Sequence, residues 1–108
     1  MTFTDVSPVI SKKFNDRELS RAIRIAIAAE HDAVHTYEII ADSISEEKMK
    51  KLFQDIANEE KVHVGEFEAL LQKLDKTDDK LLNDGKKEAL DKIAQAAYFD
   101  ELSKLSKP

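Results

Sequence analysis

The sequence contains no cysteine and few of the residues that form turns. Its 108 residues include two glycines, two prolines and no tryptophan, and aromatic residues make up only 6%. Without cysteine, disulfides and thiolate metal sites are excluded. The scarcity of glycine and proline argues against a β-sandwich or barrel. With 42% hydrophobic and 36% charged residues, the composition is typical of a helical bundle of one domain.

The charge and hydropathy of the chain exclude several classes of partner. A net charge of −5 argues against nucleic-acid or anionic-membrane binding and favours cations. No apolar run approaches the roughly 20 residues of a membrane span. Residues 1–10 lack the charged-then-apolar layout of a signal peptide, so the sequence predicts a cytoplasmic protein.

The chain divides into three predicted segments. Residues 1–14 are predicted to form an extended arm, in which Ser7-Pro8 disfavours helix. Residues 15–75 are predicted to form a helical hairpin, and residues 76–108 a polar connection and a shorter C-terminal helix. Apolar residues recur at alternating spacings of four and three in the helical segments, which predicts an all-α fold.

Capping signals predict where the helices begin. Asn15 followed by Glu18 predicts a capping box for a first helix that ends near Ser43. Ser45-Glu46-Glu47 predicts a second helix start directly afterwards, so the two helices fold back as an antiparallel hairpin. Asp84 is the predicted N-cap of the third helix.

Three ionisable residues interrupt the predicted apolar seams of the hairpin. Glu30 lies in the first seam, and Glu60 and His63 form a Glu-x-x-His pair in the second. The seams are Leu19, Ile23, Ala26, Glu30, Ala33, Tyr37, Ile40 and Ile44, and Met49, Phe53, Ile56, Glu60, His63, Phe67, Leu70 and Leu74. Such groups cost free energy in an apolar seam unless they are paired, and a metal ion suits two carboxylates and an imidazole.

The hairpin geometry brings these three residues to one level. At about 1.5 Å per residue, all three lie roughly 20–27 Å from the turn between the helices. Ferritin-like di-iron bundles use a Glu from each of two helices and a Glu-x-x-His from each of two others. This chain has one such set, so a second copy is predicted to complete a four-helix bundle by homodimerisation. The combined carboxylates and imidazoles suit iron or manganese.

Other polar residues near the seams have more than one interpretation. Tyr37 is one heptad after Glu30 and either bonds a ligand, supplies an electron or packs in the core. His31 and His35 either hold zinc on the outer face or are solvated surface. The acidic residues that either guide cations or are ordinary surface charge are Asp32, Glu59 and Glu66.

Two runs of sequence resemble the encapsulated ferritins, which are fused to or packaged inside encapsulin nanocompartments. They are Ala29-Glu30-His31-Asp32-Ala33 with Tyr37-Glu38, and Glu59-Glu60-Lys61-Val62-His63-Val64-Gly65-Glu66-Phe67, and the likeness covers residues 8 to 95. The resemblance implies a dimer that completes a four-helix bundle, five dimers in an open ring, and iron oxidation at the dimer interface. It also implies a location inside a nanocompartment whose shell is built from encapsulin.

The same resemblance implies roles for individual residues. Glu30, Glu60 and His63 match the catalytic iron ligands, Tyr37 matches a tyrosine near the centre, and Asp32 matches an acidic residue of the metal entry site. Two positions depart from the pattern, because Ala29 and Thr36 stand where some members have an acidic residue and a tryptophan. The tail, residues 102–108, is not a clear cargo-targeting peptide.

The sequence therefore predicts a ferroxidase that oxidises Fe²⁺ with dioxygen or peroxide at a di-iron centre shared across a homodimer. One alternative is a rubrerythrin-like protein that reduces peroxide, although the absence of cysteine excludes a rubredoxin-type iron within these residues. A second alternative is a metal-free helical interaction module in which Glu30 and His63 pair.

Overall fold

The computed structural model describes residues 13–105, which form three α-helices and no strand. Helix α1 spans Asp16–Ser43, α2 spans Glu47–Leu74 and α3 spans Lys76–Leu105. The predicted all-α fold is confirmed. Positions 1–12 of the predicted arm and the last three positions of the tail lie outside the described residues. None of the described helices combines the length and hydropathy needed to cross a membrane.

Helices α1 and α2 both begin at a capping side chain. The side-chain Oδ1 of Asn15 accepts a 2.8 Å hydrogen bond from the backbone N–H of Glu18, and the backbone N–H of Asn15 donates to the Glu18 carboxylate at 3.2 Å. The predicted capping box is therefore confirmed. In α2 the carboxylate of Glu46 accepts a 2.7 Å bond from the Met49 amide. Only three residues separate the helices, which forces the chain to reverse direction.

Contacts between α1 and α2 show that they run antiparallel. Tyr37 packs on Phe53 with ring centroids 6.4 Å apart, and Arg24, earlier in α1, pairs with Asp75 beyond the end of α2 at 3.6 Å. Moving backwards along α1 therefore means moving forwards along α2, as the hairpin prediction requires.

The buried line between α1 and α2 differs from the predicted seam of α2. Its buried residues are Ala57, Val64 and Leu71 in α2, and Ser20, Ile23 and Ala41 in α1. Met49 and Leu70 of the predicted seam remain 59% and 51% exposed. The apolar stripe of α2 is wider than the surface that one facing helix covers, so α1 buries only one edge of it.

The predicted connection and helix start after the hairpin are wrong. Helix α3 begins at Lys76, so Asp84 lies inside the helix, where it accepts a 2.9 Å bond from Lys80. With 30 residues, α3 is also longer than α1 or α2, which have 28 each. Acidic residues in its first turn favour this early start, as do pairs of Lys and Asp four residues apart.

The chain divides into two compact units at the junction between Asp75 and Lys76. The first contains the hairpin with its buried line. The second contains α3, which has no buried residue. Its charged pairs, such as Lys87 with Asp91 at 2.9 Å, lie on its surface, and its apolar side chains Leu90 and Ile93 are more than half exposed.

Candidate metal centre

One group of metal-ligating side chains in the described part of the chain brings Glu30, Glu60 and His63 together. One ligand atom from each residue lies within 4.8 Å of the other two. Glu30 comes from the middle of α1, while Glu60 and His63 come from the facing part of α2, one helical turn apart. The convergence predicted from the hairpin geometry is therefore present in one chain.

The imidazole of His63 is the centre of this group. Its Nδ1 lies 3.3 Å from an Oε2 oxygen of Glu60 and 3.7 Å from the Oε2 oxygen of Glu30. When Nδ1 carries a proton it donates toward the carboxylates, and when it does not its lone pair is available to a metal. The same ring position therefore serves either a proton or a cation.

The three side chains are partly, not fully, enclosed. The side chains of Glu30 and Glu60 are 22% and 21% exposed, whereas that of His63 is 48% exposed. The carboxylates thus stand at the edge of the buried line, and the imidazole borders solvent. An open side of this kind leaves room for further ligands from outside the chain.

The chemistry of the donors fits a first-row transition metal. Two carboxylates and an imidazole form a mixed oxygen and nitrogen set, which suits iron, manganese or zinc better than magnesium or calcium. Among the described residues, the carboxylates of Glu30 and Glu60 have no lysine or arginine bonded to them. Their two negative charges favour a divalent cation at this point.

Tyr37 is not part of the ligand group. It is half-buried and its ring packs on Phe53, with an angle of 44° between the ring planes. It lies two turns after Glu30 on the same side of α1, since seven residues correspond to about two turns.

The remaining predicted polar residues are exposed in this unit. They are His31, Asp32, His35, Glu59 and Glu66. None of them belongs to a group of three metal-ligating side chains within residues 13–105. The structure therefore does not bring Asp32 into the Glu30 group, nor does it join His31 and His35 to a third ligand.

A polar network on the hairpin was not predicted from the sequence. Glu38 of α1 accepts hydrogen bonds at one oxygen, Oε2, from Lys61 Nζ at 3.0 Å and from Gln54 Nε2 at 3.2 Å. The hydrogen bond from Lys61, and to a smaller extent the one from Gln54, holds the pKa of Glu38 below its usual range. Gln54 and Lys61 lie 16 and 23 positions after Glu38 in the chain, so no local motif signals these contacts.

An antiparallel helical hairpin with a carboxylate on one helix and a Glu-x-x-His pair on the other defines half of a ferritin-like bundle. The structure resembles the crystal structure of the encapsulated ferritin domain from Pyrococcus furiosus, with a TM-score of 0.69 and 43% identity. That likeness covers 71% of this chain and 79% of the other. The rubrerythrin family model matches residues 5–106, and the chain belongs to this family.

Two relatives confirm the resemblance to encapsulated ferritins. The ferritin-like-encapsulin shell fusion protein of Pyrococcus furiosus is 47% identical over 64 residues, which are 59% of this chain and 19% of that protein. The encapsulin nanocompartment cargo protein EncC of Myxococcus xanthus is 36% identical over 67 residues, 62% of this chain and 52% of that protein. The matched region thus spans about a fifth of one relative and about half of the other.

Proposed function

We propose that this protein is a ferroxidase that binds Fe²⁺ at Glu30, Glu60 and His63 and oxidises it to Fe³⁺ between two subunits. The observation that carries the proposal is the convergence of three ligand atoms within 4.8 Å of one another, from two facing helices. The rubrerythrin family usually binds iron, and the donor set of this group suits that metal.

The completion of the centre by a second copy is supported by exposed apolar residues in the predicted seam of α2. His63 is half exposed, and the edge of the α2 stripe that α1 leaves uncovered contains Met49 and Leu70. A second hairpin packed on this edge would cover both and add a second Glu30, Glu60 and His63. Four carboxylates would then offset the charge of two Fe²⁺ ions, as in four-helix di-iron bundles.

The redox step balances with a two-electron acceptor. Two Fe²⁺ ions each give one electron, and two electrons with two protons reduce dioxygen to hydrogen peroxide, or hydrogen peroxide to two waters. The Glu30 and Glu60 carboxylates hold the substrate ions and stabilise the higher charge of Fe³⁺, while His63 supplies a neutral nitrogen ligand. In this proposal Tyr37 lies close enough to assist electron transfer, and Asp32 attracts Fe²⁺ toward the centre.

The names of the two relatives support a proposal for the setting of this activity. One is fused to an encapsulin shell and the other is named as cargo of an encapsulin nanocompartment. We propose that this protein likewise acts in iron storage or detoxification, associates with an encapsulin shell protein, and assembles its dimers into a ring of five. The activity of the hairpin itself requires only the dimer.

Iron analysis of the purified protein tests the proposal. After anaerobic loading with Fe²⁺ and removal of unbound iron, we expect about one iron per chain, and air should then convert it to Fe³⁺ with a stoichiometric rise in ultraviolet absorbance. The matched control is Glu59→Gln, which removes an exposed carboxylate next to Glu60 and should change neither value. No retained iron in the parent would favour the metal-free interaction module.

Peroxide reduction is the second candidate, and the rubrerythrin family match favours it. The two activities are separated by supplying the Fe²⁺-loaded protein with either dioxygen or hydrogen peroxide under otherwise equal conditions. A ferroxidase turns over with added Fe²⁺ as its only electron source. A peroxide-reducing protein instead consumes peroxide repeatedly when an external reductant regenerates Fe²⁺ at the centre.

A further inference from the structure

The hydrogen-bond network around Glu38 lies on the opposite side of the hairpin contact from the metal ligands. Successive residues of an α-helix are about 100° apart, so Lys61 and His63, two positions apart, point to nearly opposite sides of α2. His63 faces Glu30 of α1 at 3.7 Å. Lys61 reaches Glu38 of the same helix at 3.0 Å.

These two contacts enclose the buried line between the helices. Ala57 and Val64 are buried against α1, and by the same helical spacing they lie between Glu60 on one side and Lys61 on the other. A rotation of α2 about its axis that moves His63 away from Glu30 must therefore push Lys61 against or past Glu38. The small side chain of Ala57 does little by itself to resist such a rotation.

The network also fixes the position of α2 along its axis. Gln54 and Lys61 lie two turns apart in α2, and both donate to the same oxygen of Glu38. Gln54 donates in addition to the side chain of Asn58 at 3.0 Å, which orients its amide. A slide of α2 along α1 would lengthen one of the two bonds to Glu38.

We infer that Glu38 is a positioning residue for the metal centre. It sets the rotation and axial position of α2, through Lys61 and Gln54, so that Glu60 and His63 stay level with Glu30. This inference rests on the proposed function for its consequence in metal binding, but the geometric part concerns the metal-free hairpin and can be measured without iron.

The role is one of geometry and not of general stability. The side chains of Glu38 and Lys61 are 38% and 52% exposed, and exposed ion pairs contribute little to unfolding free energy because solvent screens them. The two bonds that converge on one carboxylate oxygen nevertheless restrict relative motion more than a single pair does. A positioning effect should therefore be visible in the centre while the helices remain intact.

The test compares Glu38→Ala with Asp55→Ala in the full chain. Asp55 is a matched control, because it forms an exposed ion pair with Lys51 at 3.1 Å, and both residues of this pair belong to α2. In the metal-free proteins, the nuclear Overhauser signal between the Glu30 side chain and the His63 ring should fall at least twofold in Glu38→Ala. It should be unchanged in Asp55→Ala.

Cobalt titration provides the readout of the centre. The affinity for Co²⁺, followed by its visible absorption, should fall about fivefold in Glu38→Ala, below the range of about 10–100-fold seen when a partner bonded directly to a metal ligand is removed. The exchanged pair Glu38→Lys with Lys61→Glu should restore both signals, since it renews the interhelical bond with its charges reversed. Glu38→Gln, which keeps an acceptor oxygen, should show an intermediate loss.

The possible results separate this inference from the proposed function. An unchanged Overhauser signal in Glu38→Ala and in Glu38→Gln, with helix content retained, would overturn the positioning role whatever the metal binding. A reduced signal in a protein whose parent binds neither Co²⁺ nor Fe²⁺ would uphold the positioning role and refute the ferroxidase. If Glu38→Ala does not fold, the Glu38→Gln and exchanged-pair measurements decide the question.

Discussion

His63 touches a carboxylate from each helix of the hairpin, so its substitution should affect the centre more than the fold. Its side chain is 48% exposed and lies outside the buried line, and replacing it leaves no cavity in the core. Glu60 shares this position at the edge. Both residues are therefore expected to matter for the chemistry of the centre and little for the formation of α2.

His63→Ala and Glu60→Ala should each reduce Fe²⁺ oxidation by at least about tenfold with little change in helix content. In a dimer, each substitution removes two ligands at once by symmetry. The measurements are the absorbance change on aeration and far-ultraviolet circular dichroism, with Glu59→Ala as the neighbouring control. Parent-like oxidation rates in both variants would exclude this centre.

Glu30→Leu should abolish oxidation and leave the metal-free protein as stable as the parent, or more stable by about 1 kcal/mol. Glu30 brings a second carboxylate within 4.8 Å of Glu60, and like charges at an apolar edge are unfavourable without a cation. Leucine restores the apolar stripe. Thermal melts in chelator measure the difference, and Glu30→Gln controls for size. A large loss of stability would instead identify Glu30 as a structural partner of His63.

At the scale of the elements, α1 and α2 meet along a narrow line with a polar flank on each side. One flank contains the Glu30, Glu60 and His63 group, and the other contains Glu38 with Lys61. The buried side chains of the described hairpin are few and include the small or medium residues Ala41, Ala57 and Val64, so the polar contacts help to fix the relative position of the helices.

The Glu38 network should make the hairpin slightly less stable in acid. The hydrogen bonds from Lys61 and then Gln54 lower the pKa of Glu38 in the folded state. The contribution of ionised Glu38 to folding stability is therefore fully present above the ordinary pKa of glutamate, about 4.3. It is lost as the pH falls through the lower pKa of the folded state. We expect the difference in melting temperature between parent and Glu38→Gln to shrink between pH 6 and pH 3. A constant difference would contradict this.

Gly65 should be replaceable by alanine with a gain in stability of the metal-free chain of about 1 kcal/mol. It lies inside α2, it is exposed, and an added Cβ would meet nothing within 4 Å. The gain comes from the lower conformational entropy of alanine in the unfolded chain. Urea unfolding of dilute protein in chelator measures it. A loss would show that the backbone at Gly65 needs freedom that alanine lacks.

At the scale of the whole molecule, the hairpin leaves large apolar side chains exposed. Met49, Leu52, Leu70 and Leu19 are between 37% and 59% exposed, whereas within residues 13–105 no side chain larger than leucine is buried. A chain with so small a core of its own gains most by packing against a further surface. In the proposed dimer, a second hairpin supplies such a surface together with a second set of ligands.

Metal binding and dimer formation should therefore be linked. In the proposed shared centre each chain supplies half of the ligands, so Fe²⁺ that binds only the completed centre should shift the monomer–dimer equilibrium toward the dimer by mass action. Sedimentation velocity under nitrogen, with and without Fe²⁺, measures the shift. His63→Ala should lack it. A monomer that carries a full complement of tightly bound iron would refute the shared centre.

The sequence by itself determined the helices of the hairpin and the residues of the candidate centre. These features depend on local signals: the Asn15 and Glu18 capping box, the short link after Ser43, and the spacing of Glu60 and His63. The height of Glu30 opposite them follows from the constant rise of a helix. The predicted start of α3 is wrong because the polar residues after Asp75 are typical of a connection, whereas pairs such as Lys80 with Asp84 stabilise helix.

Only the tertiary structure decided which edge of each apolar stripe is buried and which groups meet across the helices. Helical periodicity defines a stripe, but the rotation of α2 that buries Ala57 and exposes Met49 depends on how the two surfaces pack. The bond between Glu38 and Lys61, 23 positions apart, depends on the same rotation. Neither residue's local sequence predicts this bond. It exists only because the folded hairpin brings the two side chains together.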